Sequence, residues 1–467
     1  MSLATGAPLE YVEKDQAGKP TKTYVESPVK FGQEHLSRFD VIPHSSSSKG
    51  YRTLSSVINA FLPAGYPQSV TEDYLEYQIY DSLQAFSSSI AGLLASRAVL
   101  QGVGVGDASA SPTAALLLNV LQESMGRVAT ILFAHKLGSS LEPECKMYRL
   151  LADIFNDCAM VLDCLSPAFP RFSRVLIFST ASVLRALCGV AAGSAKASLS
   201  AHFARNGNLA ELNAKDASQE TIISLFGMLV GSIVISHVST PFSTWLCLFL
   251  LLSIHLGTNY AAVRAVTMRT LNRQRANIVV STLIEHDRIL TPEVVSRRER
   301  IFERDGVVRW NQSQALAYCQ IGCPLEKLLQ SLCRDDARQS RVKYATANFG
   351  RLLNIFQGQD YILWYDCKAS QVFIVLKEGS SVKSQLKAWM HSLLVVHGET
   401  SGLPDGTEIS FDSMTSKQLE QIRNSLEFLS NRFDRFMETL ADAGWDLATA
   451  ALEVRPGYRL AVGSRSY

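Results

Sequence analysis

From Thr221 to Val263 the chain runs 43 residues without an Asp, Glu, Lys or Arg. That is too long for one ordinary buried helix and about long enough to cross a bilayer twice. Ser239, Thr240 and Pro241 divide the run, and Pro241 suits the first turn of a following helix because its missing donor would be unpaired there anyway. The pattern predicts a helical hairpin with apolar segments at 222–238 and 242–263. Lys196, Arg205 and Lys215 precede it and Arg264, Arg269, Arg273 and Arg275 follow it, while the turn is uncharged. By the positive-inside bias both ends of the hairpin face the cytosol. The competing expectation is a soluble protein with this hairpin wholly buried, since the first segment is short for a span and His237 and His255 sit within the run.

The chain before the hairpin reads as more helix. Residues 1–50 mix charge with Gly, Pro and Ser, a composition that predicts a mobile tail, with 31–42 as a short strand or docking element. FLPAGYPQSV (61–70) is a rigid turning segment. In TEDYLEYQIYDSLQAF (71–86), Thr71 is placed to cap a helix, with Glu72 and Asp73 in its first turn. Tyr74, Tyr77, Ile79, Tyr80 and Leu83 give that helix an aromatic-rich surface, either core packing or an interfacial belt. Small residues crowd 87–105, which lets helices approach closely. GVGVGDASASP (102–112) lacks the strand and third glycine of a dinucleotide fingerprint. It reads as an interhelical loop with Asp107 capping the next helix.

FLPAGYPQSV, the 73–85 segment with Tyr74, Asp81 and Gln84, the GVGVGDAS loop and NAKDASQET (213–221) together resemble the root UVB sensitive family. The similarity covers about 54–291, with Tyr80 standing where the family is expected to carry Trp. The resemblance implies a helical, membrane-associated domain, and plant members linked to seedling growth under UV-B, auxin distribution and vitamin B6 homoeostasis. It implies no biochemical activity.

Two sets of polar residues stand out. Asp153, Asn156 and Asp157 share one face of an otherwise apolar helix, and Arg185 and Lys196 interrupt the next apolar stretch. Charges in apolar helices are costly unless paired, so these five predict an interhelical network that fixes register or lines a solute or proton path. A metal site is the weakest use of the carboxylates, because no His stands at helical spacing beside them. Lys215, Asp216, Gln219 and Glu220, directly before the charge-free run, form with Asp107 a candidate recognition motif.

Beyond Val263 the balance turns basic, with eight Arg against four acids over 264–300. That suits an anionic leaflet better than nucleic acid, since the aromatic interleaving of a stacking platform is missing. Residues 269–467 read as a soluble α+β domain, with strands at 361–366 and 371–376 and a helix at 381–396. Leu419, Ile422, Leu426, Leu429, Phe433, Phe436 and Leu440 form a heptad seam ending before Gly444, available for packing, a partner helix or self-association. The nine cysteines have no regular spacing and fit reduced thiols. No P-loop, GxSxG, HExxH or paired CxxC occurs, and Cys319 and Cys323 lack further zinc ligands.

The sequence thus predicts a mainly α chain: a membrane-associated helical bundle with a C-terminal α+β domain. The domains are a tail at 1–50, a helical domain at 51–268 with the membrane hairpin at 221–263, and a soluble domain at 269–467. The lipid bilayer is the expected partner, with a protein partner through the C-terminal domain; nucleic acid, cofactor and metal are not expected. A non-enzymatic scaffold in a membrane complex is the leading functional expectation, and a transporter or channel for a small solute is the alternative.

Overall fold

Residues 9–14, 20–31, 34–43, 61–63, 65–105, 111–205, 207–311, 315–332, 341–402, 411–455 and 457–461 are described in the computed structural model of the chain. They pack as two units. One holds Met1–Gly106, Asp163–Ala168 and Ala197–Ala265, the other Asp107–Leu162, Phe169–Lys196 and Val266–Tyr467. One break falls between Ala265 and Val266, beside the expected boundary at 268, while two earlier helical stretches group with the C-terminal residues.

In the first unit, part of the expected tail is ordered. β1 (Leu9–Lys14), β2 (Pro20–Phe31) and β3 (Glu34–Pro43) form an antiparallel meander in the order β1-β2-β3. Tyr11, Val12, Tyr24, Val25, Phe39 and Val41 are the aromatic and β-branched types favoured in strands, set among charged and polar residues. Overall composition hides that preference. Cross-strand contacts hold the meander: Tyr24 Oη donates to Glu13 at 3.0 Å, and the Tyr11 and Phe39 rings lie 6.1 Å apart.

α1 (Tyr74–Val103) is 30 residues long and ends at Gly104, whose φ of 94° places it in the left-handed region where only glycine is unstrained. Thr71 does not cap it. Its backbone N–H instead donates to the Phe203 carbonyl, while the Asp73 carboxylate takes His202. α2 (Pro112–Leu137) and α3 (Cys145–Leu165), separated by a turn of 3-10 helix, and then α4 (Arg171–Phe203) lead to α5 (Leu209–His237) and α6 (Pro241–Ala265). The last two are the expected hairpin. Thr240 and Ser243 cap α6 reciprocally, each hydroxyl accepting from the other's backbone N–H at 3.1–3.2 Å. α5 begins 13 residues before Ile222, because the helix runs back through NAKDASQET. That extension removes the shortness of the first segment.

α1 packs along both α5 and α6. Gly227 and Gly231 on α5 make the approach possible: a Cβ at Gly227 would lie 2.6 Å from Ser89 Cβ, and one at Gly231 2.7 Å from Leu93 Cδ1. The pair is a G-x-x-x-G motif, one face of a helix kept free of side chains for a close neighbour.

The second unit carries the largest core. β4 (Val307–Arg309), β5 (Ala315–Ile321), β6 (Tyr361–Asp366) and β7 (Gln371–Lys377) form a sheet in the order β4-β5-β7-β6, with β8 (Arg459–Leu460) beside β7. β6 and β7 are the expected hairpin, and every residue of β6 is buried. α7 (Arg273–His286) and α11 (Val382–Gly402) pack on this sheet. Their polar atoms are satisfied inside: Asn277 accepts from Trp389 Nε1 at 2.9 Å and donates to the Val307 carbonyl at 2.8 Å. His391 is fully buried between the Tyr361 hydroxyl and the Ile422 carbonyl, and burial pushes its imidazole down to about 3. The remaining helices are α8 (Pro292–Arg298), α9 (Leu325–Leu332) and α10 (Arg341–Ile355).

The heptad seam does not form one helix. It splits into α12 (Phe411–Ser430) and α13 (Phe433–Asp442), with Arg432 folded over the Phe428 ring at 4.0 Å. Leu419, Ile422, Leu426, Leu429, Phe436 and Leu440 are all buried in the core of the same unit.

Candidate functional site

Gln78, Asp81 and Gln84 stand three residues apart on α1, so they share a face, and all three are buried. A buried amide or carboxylate costs free energy unless it is hydrogen bonded. The partners come from α5 and α6. Gln78 Nε2 donates to Asp216 Oδ1 at 2.7 Å and to Gln219 Oε1 at 2.6 Å, and Gln219 Nε2 donates to the Phe61 carbonyl at 2.6 Å. Gln84 Nε2 lies 2.8 Å from Nε2 of the fully buried His255. Donation by the amide there requires a neutral imidazole protonated on Nδ1; a proton on Nε2 would set N–H against N–H. Asn259, one turn beyond His255, is also fully buried.

This seam has a direction. At the start of α1 Asp73 meets His202 at 2.9 Å; the amides of Gln78 and Gln84 follow; then come the bare backbones of Gly227 and Gly231; and at the far end Arg97 donates to the Val238 carbonyl at 2.6 Å. The polar half and the tight apolar half thus occupy successive lengths of the same three helices. Those helices, with residues Phe172–Phe203 of α4, are long and apolar enough to cross a membrane.

The expected recognition motif is partly drawn together. Asp216 and Gln219 enter the seam, Lys215 is half-buried, Glu220 is exposed, and Asp107 lies outside the described residues. Of the expected interhelical network, Asp153 and Asp157 are buried on α3, Asn156 and Lys196 are half-buried, and Arg185 is exposed on α4. Asp153 pairs with Arg149 at 3.1 Å, a base one turn earlier on the same helix. The i, i+4 spacing of that pair was readable in the sequence. The Gln78 and His255 contributions were not, since their partners lie 138 and 171 residues away.

The second unit contains an ionic triad. Glu299 receives Lys146 on one oxygen and Arg275 on the other, the latter at 3.1 Å, and all three side chains are buried. Burial alone would raise the Glu299 carboxyl, but the two cations hold it below its ordinary value. Beside the triad, Glu144, Tyr148, Arg273, Asp305 and Arg455 line a cleft of about 170 Å³. Arg273 and Arg455 both reach Asp305, the latter at 2.8 Å, so the cleft's charges are largely compensated. Among the described residues no group of three or more His, Cys, Asp or Glu is placed to hold a metal ion.

Residues 47–287 match the vitamin B6 photo-protection and homoeostasis domain, and residues 288–455 match the root UVB sensitive protein C-terminal domain. RUS family member 1 of Dictyostelium discoideum is 39% identical over 295 residues, 62% of this chain and 55% of that protein, so the match spans about half of the relative. Protein root UVB sensitive 3 of Arabidopsis thaliana is 29% identical over 390 residues, 83% of this chain and 82% of that protein. Protein root UVB sensitive 2, chloroplastic, of the same plant is 25% identical over 340 residues, 73% and 72% of the two chains. No solved structure matches. With both domains matched in order across most of its length, the chain belongs to the root UVB sensitive family.

Proposed function

We propose that the chain is an integral membrane protein that carries a small polar solute along the seam of α1, α5 and α6. The observation that supports this reading is the burial of Gln78, Gln84, Asp216 and His255, hydrogen bonded to one another, inside helices apolar enough to span. Polar and ionisable groups at membrane depth are expensive and mark solute or proton routes. The matched domain is described by vitamin B6 homoeostasis, which supplies the solute class to test: the B6 vitamers, small rings with hydroxyl and nitrogen groups that amides and imidazole recognise. Both ends of the hairpin face the cytosol, in keeping with Lys215 before it and Arg264 and Arg269 after it.

Purified protein reconstituted into sealed vesicles takes up labelled pyridoxine faster than protein-free vesicles. In Gln84→Leu/His255→Leu, a change that removes both partners of one buried bond and leaves neither unsatisfied, uptake falls by about tenfold or more while the protein stays monodisperse in detergent. Wild-type protein that moves no B6 vitamer contradicts the carrier and leaves the non-enzymatic scaffold, to which the same substitution is harmless.

A further inference from the structure

We infer that α2 and α3 also cross the bilayer, making six crossings where apolarity alone selects four, and that the exposed surface of α2 faces lipid. The inference rests on the membrane reading above. It follows from which helix ends are tied together.

In the first unit, Thr71 N donates to the Phe203 carbonyl at 3.1 Å, Asn208 Nδ2 to the Ser69 carbonyl at 3.2 Å, and Gln78 to Asp216. The start of α1, the end of α4 and the start of α5 therefore share one face of the membrane, the near face. Arg97 reaches the Val238 carbonyl, so the end of α1 and the α5–α6 turn share the far face. α6 returns to the near face at Ala265. In the second unit, the next carbonyl, that of Val266, accepts from Lys146 Nζ at 2.5 Å, and Lys146 is also paired with Glu299. Lys146 consequently lies at the near face.

The chain leaves α1 at the far face and reaches Lys146 at the near face, which takes an odd number of crossings. α2 is the helix that lies between them, and the linkers on either side of it are too short to cross. From Lys146 to Phe203 the chain goes from near face to near face, an even number. α4 is apolar enough to cross, so α3 crosses with it.

Both helices are long enough for it. α2 has 26 residues and α3 has 21, about 39 and 31 Å of helix against a hydrocarbon core of about 30 Å. Leu116, Leu117, Val120, Val128, Ile131 and Leu132 of α2 are each more than half exposed, a larger apolar surface than one water-facing helix carries without cause. Glu123 and Arg127, its ionisable residues before the last turn, are both exposed, and pairing with each other at 3.4 Å is what offsets their charge there. At Gly126 α4 comes close, with Ser182 Oγ donating to the Gln122 carbonyl at 2.8 Å. On α3, Asp153, Asp157 and Asp163 are turned inward, away from lipid, with no more than 5% exposure, the side on which intramembrane charges are tolerated. Lys136, Lys146, Arg205, Lys215, Arg264 and Arg269 gather at the near face against Arg97, Arg171 and Arg174 at the far face, which makes the near face cytosolic.

Single cysteines added at four exposed sites, each compared with the unaltered chain, test the count in sealed membranes using a membrane-impermeant maleimide that adds mass. Glu142→Cys and Arg205→Cys are expected to behave alike, Ala168→Cys and Ser239→Cys to behave alike, and the two pairs to react from opposite sides; detergent exposes all four. Glu142→Cys reacting with Ser239→Cys overturns the crossing of α2, and Ala168→Cys reacting with Arg205→Cys overturns that of α3. If carbonate strips the protein from the membrane, the membrane reading itself has failed.

Discussion

Glu299→Gln lowers the stability of the second unit by about 3–5 kcal/mol, because Lys146 and Arg275 are left buried beside a neutral amide. Truncating one member of a buried ionic group is far more damaging than removing the whole group, since the remaining charges cannot regain water. Lys146→Met/Glu299→Met/Arg275→Met is accordingly expected to be less destabilised than Glu299→Gln. Thermal unfolding of the detergent-solubilised protein, followed by fluorescence, compares the two. The same carboxyl gives the acid limb of stability its sign. Its folded value lies below the ordinary 4.5, so its contribution is complete above that pH and is lost as pH falls through the folded value. Wild type therefore destabilises on acidification below about pH 4.5, and the triple methionine variant does so less. A variant Glu299→Gln as stable as wild type would mean that the triad is not buried as described.

Gly227→Ile and Gly231→Ile each force α5 away from α1, at an overpacking cost of about 1–3 kcal/mol per site. A Cβ at 227 would lie 2.6 Å from Ser89 Cβ and 3.0 Å from the Phe86 carbonyl oxygen, and one at 231 2.7 Å from Leu93 Cδ1 and 3.3 Å from Ile90 Cα, so backbone as well as side chains must give. The double variant is expected to unfold several degrees lower and to lose its single gel-filtration peak. Gly257→Ala on α6 is the control: nothing lies within 4 Å of its added Cβ, and alanine is the better helix former. Tolerance of the double variant would show that α5 and α1 do not approach through these glycines.

Parts of this arrangement were legible in the sequence and parts were not. The hairpin announced itself through 43 uncharged residues and the Ser-Thr-Pro turn, and β6 and β7 through their aromatic and branched residues. Only the apolar part of α5 was read from the sequence, because hydropathy marks where Lys215, Asp216 and Glu220 end and not where the helix begins, and helix propensity allows those residues. Of the meander at 9–43, the expected strand at 31–42 corresponds to β3, while β1 and β2 were read as tail because Gly, Pro and charged residues dominate the composition around them. The seam escaped because local spacing reports only partners three or four residues away, and Gln78 finds Asp216 across 138 residues. The G-x-x-x-G pair at 227 and 231 was in plain view and carries a close approach of α5 to α1. In the heptad stretch the apolar period continues unbroken through Asn431 and Arg432, where the backbone nonetheless turns.

The proposed carrier holds the seam of α1, α5 and α6 within a bilayer. Membranes from cells expressing the protein, washed with alkaline carbonate and then extracted with detergent, test it most directly. The protein is expected to stay in the carbonate pellet and to leave only with detergent. Release into the carbonate wash would contradict it, and the buried polar seam would then belong to a soluble helical bundle.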